Sequence, residues 1–368
     1  MRNYKLWLIS LFLFVCIIFT CLTAMATAEA RRNISAQSAA LYSPDLDCFL
    51  YGKNIDVRLP MASTTKIMTA LVVLEYTDTD SMVMVDKEAT NIEGSSIYLK
   101  EGDVLSVNDL LYALLLQSAN DAAAALAFNV SGSIEGFADL MNNKAKSIGL
   151  RNTHFTNPHG LDDELHYTTA HDLALITAEA IKNSTFADII ATKKYTFTLG
   201  NSTRTVINHN KLLWQSEYAV GVKTGYTKKS GRCLVGAAEH DGISLITVTL
   251  NAPDDWSDHK TLFNAGFNAL KATQISDIVK TEFKVPILNY STEAEASLKH
   301  QPLLVGMATD IFKAEVRLPK YIVAPIKYGE KIGEIIIYKN GEYHTTLELT
   351  SDSEYTLPKK KSIFNFLI

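Results

Sequence analysis

Apolar residues recur every three or four positions along several segments of the first 271 residues, a pattern that predicts helices. The clearest segment starts at Ser63, and its apolar positions continue to Leu74 without an interior glycine or proline. Thr168 or Thr169 is a suitable N-cap for a later segment. In addition to the segment that starts at Ser63, the pattern predicts helices over residues 108–117, 121–129, 169–182 and 261–271.

Elsewhere the apolar positions alternate with polar ones, which is typical of strands. Near Thr281 the helical segments stop, and short β-like stretches alternate with turns. We therefore predict an α+β domain over 31–280, with helices packed on an antiparallel sheet, followed by a small all-β domain over 283–355. Extended segments of the first domain are predicted over 35–51, 195–198, 233–235 and 243–250, with a hairpin turn at 240–243.

The first 30 residues follow the order of a secretory signal peptide. Arg2 and Lys5 precede an apolar run over 6–22, and small residues over 24–30 offer several Ala-x-Ala cleavage sites. The run is near the short end for a membrane span, which needs about 20 residues. An uncleaved membrane anchor is the alternative. The Ala-x-Ala sites favour a cleaved signal peptide that comprises residues 1–30, and therefore export of the protein.

The segment over 356–368 combines a basic cluster with an apolar end. Lys359-Lys-Lys361 precedes apolar residues from Ile363 to Ile368, and the segment is too short to span a bilayer. A basic cluster beside apolar side chains favours peripheral attachment to the outer face of an anionic membrane. A frayed terminus, or packing of the same apolar residues on the β domain, is the alternative.

The composition is that of an ordinary globular protein, with 47% hydrophobic residues, 20% charged residues and a net charge of −5. Nucleic-acid binding would require a basic face, so this charge balance argues against it. Cys48 and Cys233 are the cysteines that follow the signal segment, and one disulfide or two buried free thiols both fit them. The histidines over 154–171 match no familiar metal-ligand spacing, and we expect no metal or cofactor.

Three short motifs carry candidate chemistry. Each is weak alone, because Ser257-Asp-His-Lys260 also fits the Ser-x-x-Lys pattern of the first. Their order and surroundings carry more weight, since the first starts an apolar helix, the second lies between two predicted helices, and the third follows a strand-like run over 218–222. The motifs are Ser63-Thr-Thr-Lys66, Ser118-Ala-Asn120 and Lys223-Thr-Gly225.

Ser63 and Lys66 are candidates for a nucleophile and its base. Residues three apart share one face of a helix, so the amine would lie beside the hydroxyl. Burial and a second cation nearby would lower the pKa of Lys66 and make it a useful base. Free N–H groups at the start of the helix would suit the oxyanion of an acyl transfer. A surface serine and lysine in a first helical turn is the alternative interpretation of this motif by itself.

The other two motifs offer groups for a substrate. The Ser118 hydroxyl can pass a proton to a leaving amine, and the Asn120 amide can hold a substrate carbonyl. Lys223 and Thr224 can bind a terminal carboxylate, and Gly225 permits close approach to the strand. Taken singly, a polar helix cap and an ordinary strand end explain these residues as well.

With the three motifs in this order, the chain resembles the D-alanyl-D-alanine carboxypeptidases, which are low-molecular-mass penicillin-binding proteins. The resemblance covers nearly the whole chain after the signal segment. It implies a catalytic domain of the penicillin-binding and β-lactamase type over 31–280, followed by an all-β domain. The segments that carry it are residues 60–70, 94–96, 109–121, 155–161, 166–170 and 221–227.

The resemblance implies a serine peptidase that removes the terminal D-alanine from peptidoglycan stem peptides ending in D-Ala-D-Ala. Ser63 would attack the penultimate carbonyl, Lys66 would take the Ser63 proton, and Ser118 would protonate the departing D-alanine. β-Lactams would acylate Ser63 and inhibit the enzyme, and neither a metal nor a cofactor would take part. The substrate would be bound by Asn120, Lys223, Thr224 and Gly225.

Some positions depart from the family pattern. Asp255 or Trp256 stands where some members place an arginine for the substrate carboxylate, so the group that supplements Lys223 is open. A β-lactamase-like hydrolase is one alternative, but Thr168 occupies the place of the asparagine in the Glu-x-x-x-Asn loop of class A enzymes. A catalytically inactive cell-wall-binding protein is the other, and the presence of all three motifs argues against it.

Overall fold

The computed structural model describes residues 34–356, so the predicted signal segment over 1–30 and residues 357–368 of the tail lie outside the described residues. The chain divides into two compact units, the first ending at Asn268 and the second beginning at Ala269. Within residues 34–356, no helix combines the length and the apolar character needed to cross a membrane.

The first unit is built on a five-stranded antiparallel sheet with the strand order β2-β1-β9-β8-β7. Two further two-stranded antiparallel sheets pair β3 with β4 and β5 with β6. The strands are β1 (Ser38–Ser43), β2 (Cys48–Lys53), β3 (Met82–Met84), β4 (Val104–Ser106), β5 (Lys194–Leu199), β6 (Ser202–Ile207), β7 (Ala219–Thr227), β8 (Gly231–His240) and β9 (Ile243–Leu250).

Helices of the first unit pack on this sheet and on one another. A 3-10 helix over Ala62–Thr65 leads into the first of them, whose residues from Lys66 to Val73 are all buried. The Thr169 side chain caps a later helix by accepting from the Asp172 N–H, as its sequence predicts. The α-helices are α1 (Lys66–Tyr76), α2 (Val107–Leu116), α3 (Asn120–Ser131), α4 (Ile134–Ser147), α5 (Ala170–Ile181), α6 (Ser184–Ala191), α7 (Leu212–Gln215) and α8 (Asp255–Ala269).

The second unit contains β-strands and a 3-10 turn over Ile275–Asp277. One antiparallel sheet has the order β11-β12-β16-β15-β14, and a two-stranded sheet pairs β10 with β13. The α+β class, with helices on an antiparallel sheet and an all-β region at the C-terminal end, is confirmed. The strands are β10 (Leu270–Gln274), β11 (Glu282–Pro286), β12 (Glu293–Leu298), β13 (Leu303–Met307), β14 (Phe312–Arg317), β15 (Lys331–Lys339) and β16 (Glu342–Ser351).

Two boundaries differ from the sequence-based expectation. The second unit begins at Ala269 rather than near residue 283, because β10 pairs with β13 along its whole length and so belongs to the β unit. Helix α8 begins at Asp255, six residues before the predicted start at Thr261. Its polar first turn obscures the apolar pattern, since Asp258 is buried there to accept hydrogen bonds from the Ser35 and Ala36 N–H groups.

Cys48 and Cys233 are free thiols and form no disulfide, but only Cys233 is buried, whereas Cys48 is partly exposed. Cys233 is buried on β8, and burial raises the pKa of its thiol to about 11. The thiolate is the nucleophilic form of cysteine, so Cys233 is unsuited to nucleophilic chemistry at neutral pH.

Candidate active site

Ser63 lies in the tight 3-10 turn that precedes α1. Ala62 before it adopts a left-handed backbone with φ +47°. Gly160 packs directly against this turn, and a Cβ atom at Gly160 would lie 2.0 Å from the Ala62 carbonyl oxygen. The Thr65 hydroxyl donates to the same oxygen at 2.8 Å. The position of the nucleophile candidate is therefore fixed by a loop nearly 100 residues further along the chain.

Lys66 is fully buried, and its Nζ has three polar neighbours. The distances are 3.0 Å to Ser63 Oγ, 2.7 Å to Asn120 Oδ1 and 2.5 Å to the His159 carbonyl oxygen. Burial holds the pKa of Lys66 well below its usual value, and the charge of Lys223 lowers that pKa further. The first motif thus places a low-pKa amine within hydrogen-bond distance of the serine.

The second motif occupies the short connection between α2 and α3. Ser118 has a left-handed backbone with φ +63°, and its buried Oγ has no hydrogen-bond partner among the described residues. Asn120 begins α3, where its Oδ1 faces Lys66 and its Nδ2 donates to the Glu93 carbonyl at 2.5 Å. The Nδ2 contact fixes the orientation of the amide, so that the oxygen is the atom directed at Lys66.

Asp121 holds the segment over residues 93–99 against this connection. Its buried carboxylate accepts hydrogen bonds from the Ile97 and Leu99 N–H groups and from the Ser96 hydroxyl. The Asn120 N–H in turn donates to the Ser95 carbonyl at 2.7 Å. These bonds connect the wall that carries Ser118 and Asn120 to the body of the unit.

The third motif lies within β7, which forms one edge of the five-stranded sheet. Gly225 allows this strand to approach the nucleophile turn, because a Cβ atom there would lie 3.0 Å from the Ser63 nitrogen. Lys223 is buried, and burial lowers the pKa of its amine to about 7. Its Nζ donates to the Thr224 carbonyl at 3.1 Å.

The three motifs meet at one pocket of about 380 Å³. Ser63, Ser118, Thr224 and Gly225 line it, whereas Lys66, Asn120 and Lys223 are buried in its walls. All seven predicted site residues are thus brought together at or immediately behind one cavity. Eight further residues line the pocket, and of these only Asp255 and Trp256 were connected with the site from the sequence: Ser95, His209, Lys211, Tyr226, Arg232, Cys233, Asp255 and Trp256.

Among these additional residues, Arg232 has a side chain that is held in place by both an ion pair and a ring contact. Its Nε and Nη2 donate to Asp255 Oδ1 at 3.0 and 2.6 Å, and its guanidinium carbon lies 5.7 Å from the centroid of the Trp256 ring. Asp255 and Trp256 were singled out in the sequence as occupying the place of an arginine. Arg232 itself belongs to no motif, because its partners lie 23 and 24 residues away and no local pattern joins them.

Two histidines next to the site, His159 and His166, are buried and neutral. His166 Nδ1 accepts from the Thr156 N–H at 3.0 Å, which assigns the hydrogen to Nε2 and directs it at Thr65 Oγ1, 2.7 Å away. Burial lowers the pKa of His166 to about 4 and that of His159 to about 3. Within residues 34–356, no three His, Cys, Asp or Glu side chains form a group that could hold a metal ion.

Comparison with known proteins agrees with the motifs. A family model described as D-alanyl-D-alanine carboxypeptidase matches residues 24–254. The chain is 31% identical over 337 residues to the D-alanyl-D-alanine carboxypeptidase DacF of Bacillus subtilis, a match that covers 87% of each protein. It is 34% identical over 352 residues to DacC of Escherichia coli, covering 88% of this chain and 86% of that protein.

Solved structures give the same result. The Streptomyces K15 DD-transpeptidase superposes with a TM-score of 0.61 at 35% identity, covering 64% of this chain and 98% of that one. Penicillin binding protein 5 from Haemophilus influenzae superposes with a TM-score of 0.64 at 28% identity, covering 88% and 98%. The resemblance inferred from the three motifs is confirmed, and the chain belongs to the D-alanyl-D-alanine carboxypeptidase family.

Proposed function

We propose that the chain is an exported serine D-Ala-D-Ala carboxypeptidase that trims peptidoglycan stem peptides through an acyl-enzyme at Ser63. The environment of Lys66 carries this proposal. A neutral amine has two N–H groups and one lone pair, and Asn120 Oδ1 and the His159 carbonyl can only accept hydrogen bonds. With both N–H groups directed at these two oxygens, the lone pair is left for the Ser63 hydroxyl.

In the acylation step, Lys66 takes the Ser63 proton while Oγ bonds to the penultimate carbonyl carbon of the substrate. The N–H groups of Ser63 and Tyr226 bind the oxyanion, an arrangement that the close approach of Gly225 to the Ser63 nitrogen supports. The proton then passes through Ser118 to the nitrogen of the terminal D-alanine as the C–N bond breaks. The unpartnered Ser118 hydroxyl in the pocket supports this role.

Substrate binding falls to the second and third motifs. Asn120 orients Lys66 and the substrate amide, while Lys223 and Thr224 bind the terminal carboxylate. Lys66 then takes a proton from a water molecule as the water oxygen attacks the ester carbonyl carbon. The bond between that carbon and Ser63 Oγ breaks, the shortened peptide leaves, and Lys66 returns the proton to Ser63 Oγ. β-Lactams acylate the same serine, which makes them covalent inhibitors.

Export and membrane attachment are further parts of the proposal, and they rest on sequence patterns. Residues 1–30 direct the protein out of the cytoplasm. Its peptidoglycan substrate lies outside the cytoplasmic membrane. The basic and apolar segment over 356–368 attaches it peripherally to the outer face of the membrane.

Labelling with penicillin and assaying the release of D-alanine test the proposal. The wild-type protein is expected to carry the label on Ser63 and to release D-alanine from a peptide ending in D-Ala-D-Ala, and Ser63→Ala is expected to do neither. Ser257→Ala is the matched control, because Ser257 and Lys260 repeat the Ser-x-x-Lys pattern at an exposed position on α8. Retention of the label by Ser63→Ala, or rapid drug turnover without D-alanine release, would contradict the proposal.

A further inference from the structure

We propose that Arg232 is the second cation for the terminal carboxylate of the substrate, and that Asp255 and Trp256 hold it in place. This inference rests on the proposed function. It supplies the binding group that the motifs leave open, and it takes that group from β8 rather than from the segment after β9.

The strand register puts Arg232 on the correct side of the pocket. Arg232 lies opposite Tyr226 in the antiparallel pairing of β7 with β8, so the two side chains share one face of the sheet. Side chains two apart on a strand also share a face, which places Thr224 there as well. Thr224 and Tyr226 are about 7 Å apart along the strand, a distance that the long arginine side chain can bridge.

The guanidinium is preorganised and has donors to spare. Two of its N–H groups are used by Asp255 Oδ1, and an arginine has five. The Asp255 side chain is only 4% exposed, whereas that of Arg232 is 43% exposed. A buried carboxylate therefore anchors one edge of the guanidinium, and the rest of it remains open to the pocket.

Lys223 alone is a poor match for a carboxylate at neutral pH. It is buried, and its pKa of about 7 leaves the amine only partly protonated before substrate arrives. Arginine stays charged throughout this range and offers a planar pair of donors that suits a carboxylate. Arg232 therefore adds a permanent charge on the face of the sheet that Thr224 and Tyr226 share.

Lys211 is another cation at the rim of the same pocket. Its side chain is exposed, and among the described residues it has no hydrogen bond or ion pair to fix it. Ordering such a flexible side chain on binding costs conformational entropy that a preorganised group does not lose again. The observed ion pair and ring contact therefore favour Arg232 as the carboxylate ligand.

The test compares a peptide ending in D-Ala-D-Ala with the same peptide carrying a C-terminal amide. We expect Arg232→Gln to lower the acid-to-amide ratio of kcat/KM by about ten- to a hundredfold, mainly through KM for the acid. Arg232→Lys should keep part of the preference, and Asp255→Ala should lower it by releasing the guanidinium. Arg204→Gln is the matched control, because Arg204 is an exposed arginine on β6 outside the pocket.

Equal losses on the acid and the amide in Arg232→Gln, with a thermal unfolding midpoint below that of wild type, would assign Arg232 a merely structural role and overturn the inference. An unchanged acid-to-amide ratio would overturn it as well. A wild-type protein that releases neither D-alanine from the acid nor D-alaninamide from the amide would instead contradict the proposed function. The failure of the two proposals is thus distinguishable in one set of assays.

Discussion

At the scale of single residues, the site depends on two buried lysines with different tasks. Lys66 has its pKa lowered first by burial and then by the nearby charge of Lys223. Lys223 has its pKa lowered by burial to about 7. Two amines that repel each other's charge favour a state in which one is neutral and the other cationic. In the proposed reaction Lys66 is the neutral base, and Lys223 is the cation that meets the substrate carboxylate.

This coupling predicts the pH dependence of kcat/KM, which reports on the free enzyme. The parameter should rise with pH as Lys66 loses its proton and fall above about pH 7 as Lys223 loses its own. Lys223→Met removes a charge that lowers the Lys66 pKa, so the acidic limb should move to higher pH and the basic limb should disappear. Profiles of D-alanine release from pH 4 to 10 give the measurement, with Lys229→Met, on the exposed turn after β7, as the control.

An acidic limb that stays in place in Lys223→Met would mean that Lys223 does not set the Lys66 pKa. A basic limb that persists in that variant would assign the limb to a group other than Lys223.

At the scale of elements, the decisive contact joins the loop over residues 157–161 to the turn before α1. Gly160 has φ +85° and contacts the Ala62 carbonyl, so an added Cβ would push the Ser63 turn away from Lys66 and β7. Small displacements of a reacting group are costly, and we expect Gly160→Ala to slow penicillin acylation about ten- to a hundredfold. The measurement is the second-order rate of Ser63 acylation.

Gly149→Ala is the control for backbone strain. Gly149 has a similar φ of +81°, but no atom lies within 4 Å of the position that its Cβ would take. Both variants should therefore lose about 1 kcal/mol of stability from the left-handed backbone. Equal acylation rates in the two variants would show that the Gly160 contact does not position Ser63.

Local patterns explain which parts of this arrangement the sequence could predict. Ser63 and Lys66 share a helical turn, so their proximity follows from spacing alone. The contact of Gly160 with Ala62 and the pairing of Arg232 with Asp255 depend on chain segments that only the tertiary fold brings together. The start of α8 could not be predicted for the same reason. The sequence around Asp255 and Asp258 is typical of a polar turn, although both side chains are buried against distant partners.

At the scale of the whole molecule, the first unit contains three buried histidines that stay neutral. Burial lowers the pKa of His159 to about 3, of His166 to about 4 and of His259 to about 3. His259 lies between Thr247 and Thr249 of β9, at 2.6 and 3.0 Å from their hydroxyl groups. Each of these rings would have to be protonated inside the protein at low pH, or the protein would have to unfold.

The sign of the pH effect follows from proton linkage. Between the folded pKa values and the unfolded value of about 6.5, the unfolded state binds more protons, so stability falls as the pH decreases. From pH 7 to pH 5 each histidine should remove about 2 kcal/mol from the free energy of unfolding. Urea unfolding followed by tryptophan fluorescence reports on the first unit, because the described tryptophans, Trp214 and Trp256, both belong to it.

A single substitution separates this explanation from general acid sensitivity. His259→Asn should be less stable than the wild type at pH 7, because a buried ring and its hydrogen bonds are lost. Its further loss between pH 7 and pH 5 should be about one third smaller, since one of three protonation sites has gone. His240→Asn, at the hairpin turn where the side chain is 37% exposed, should leave that loss unchanged. If His259→Asn lost as much stability as the wild type over this range, the buried ring could not be a source of the pH dependence.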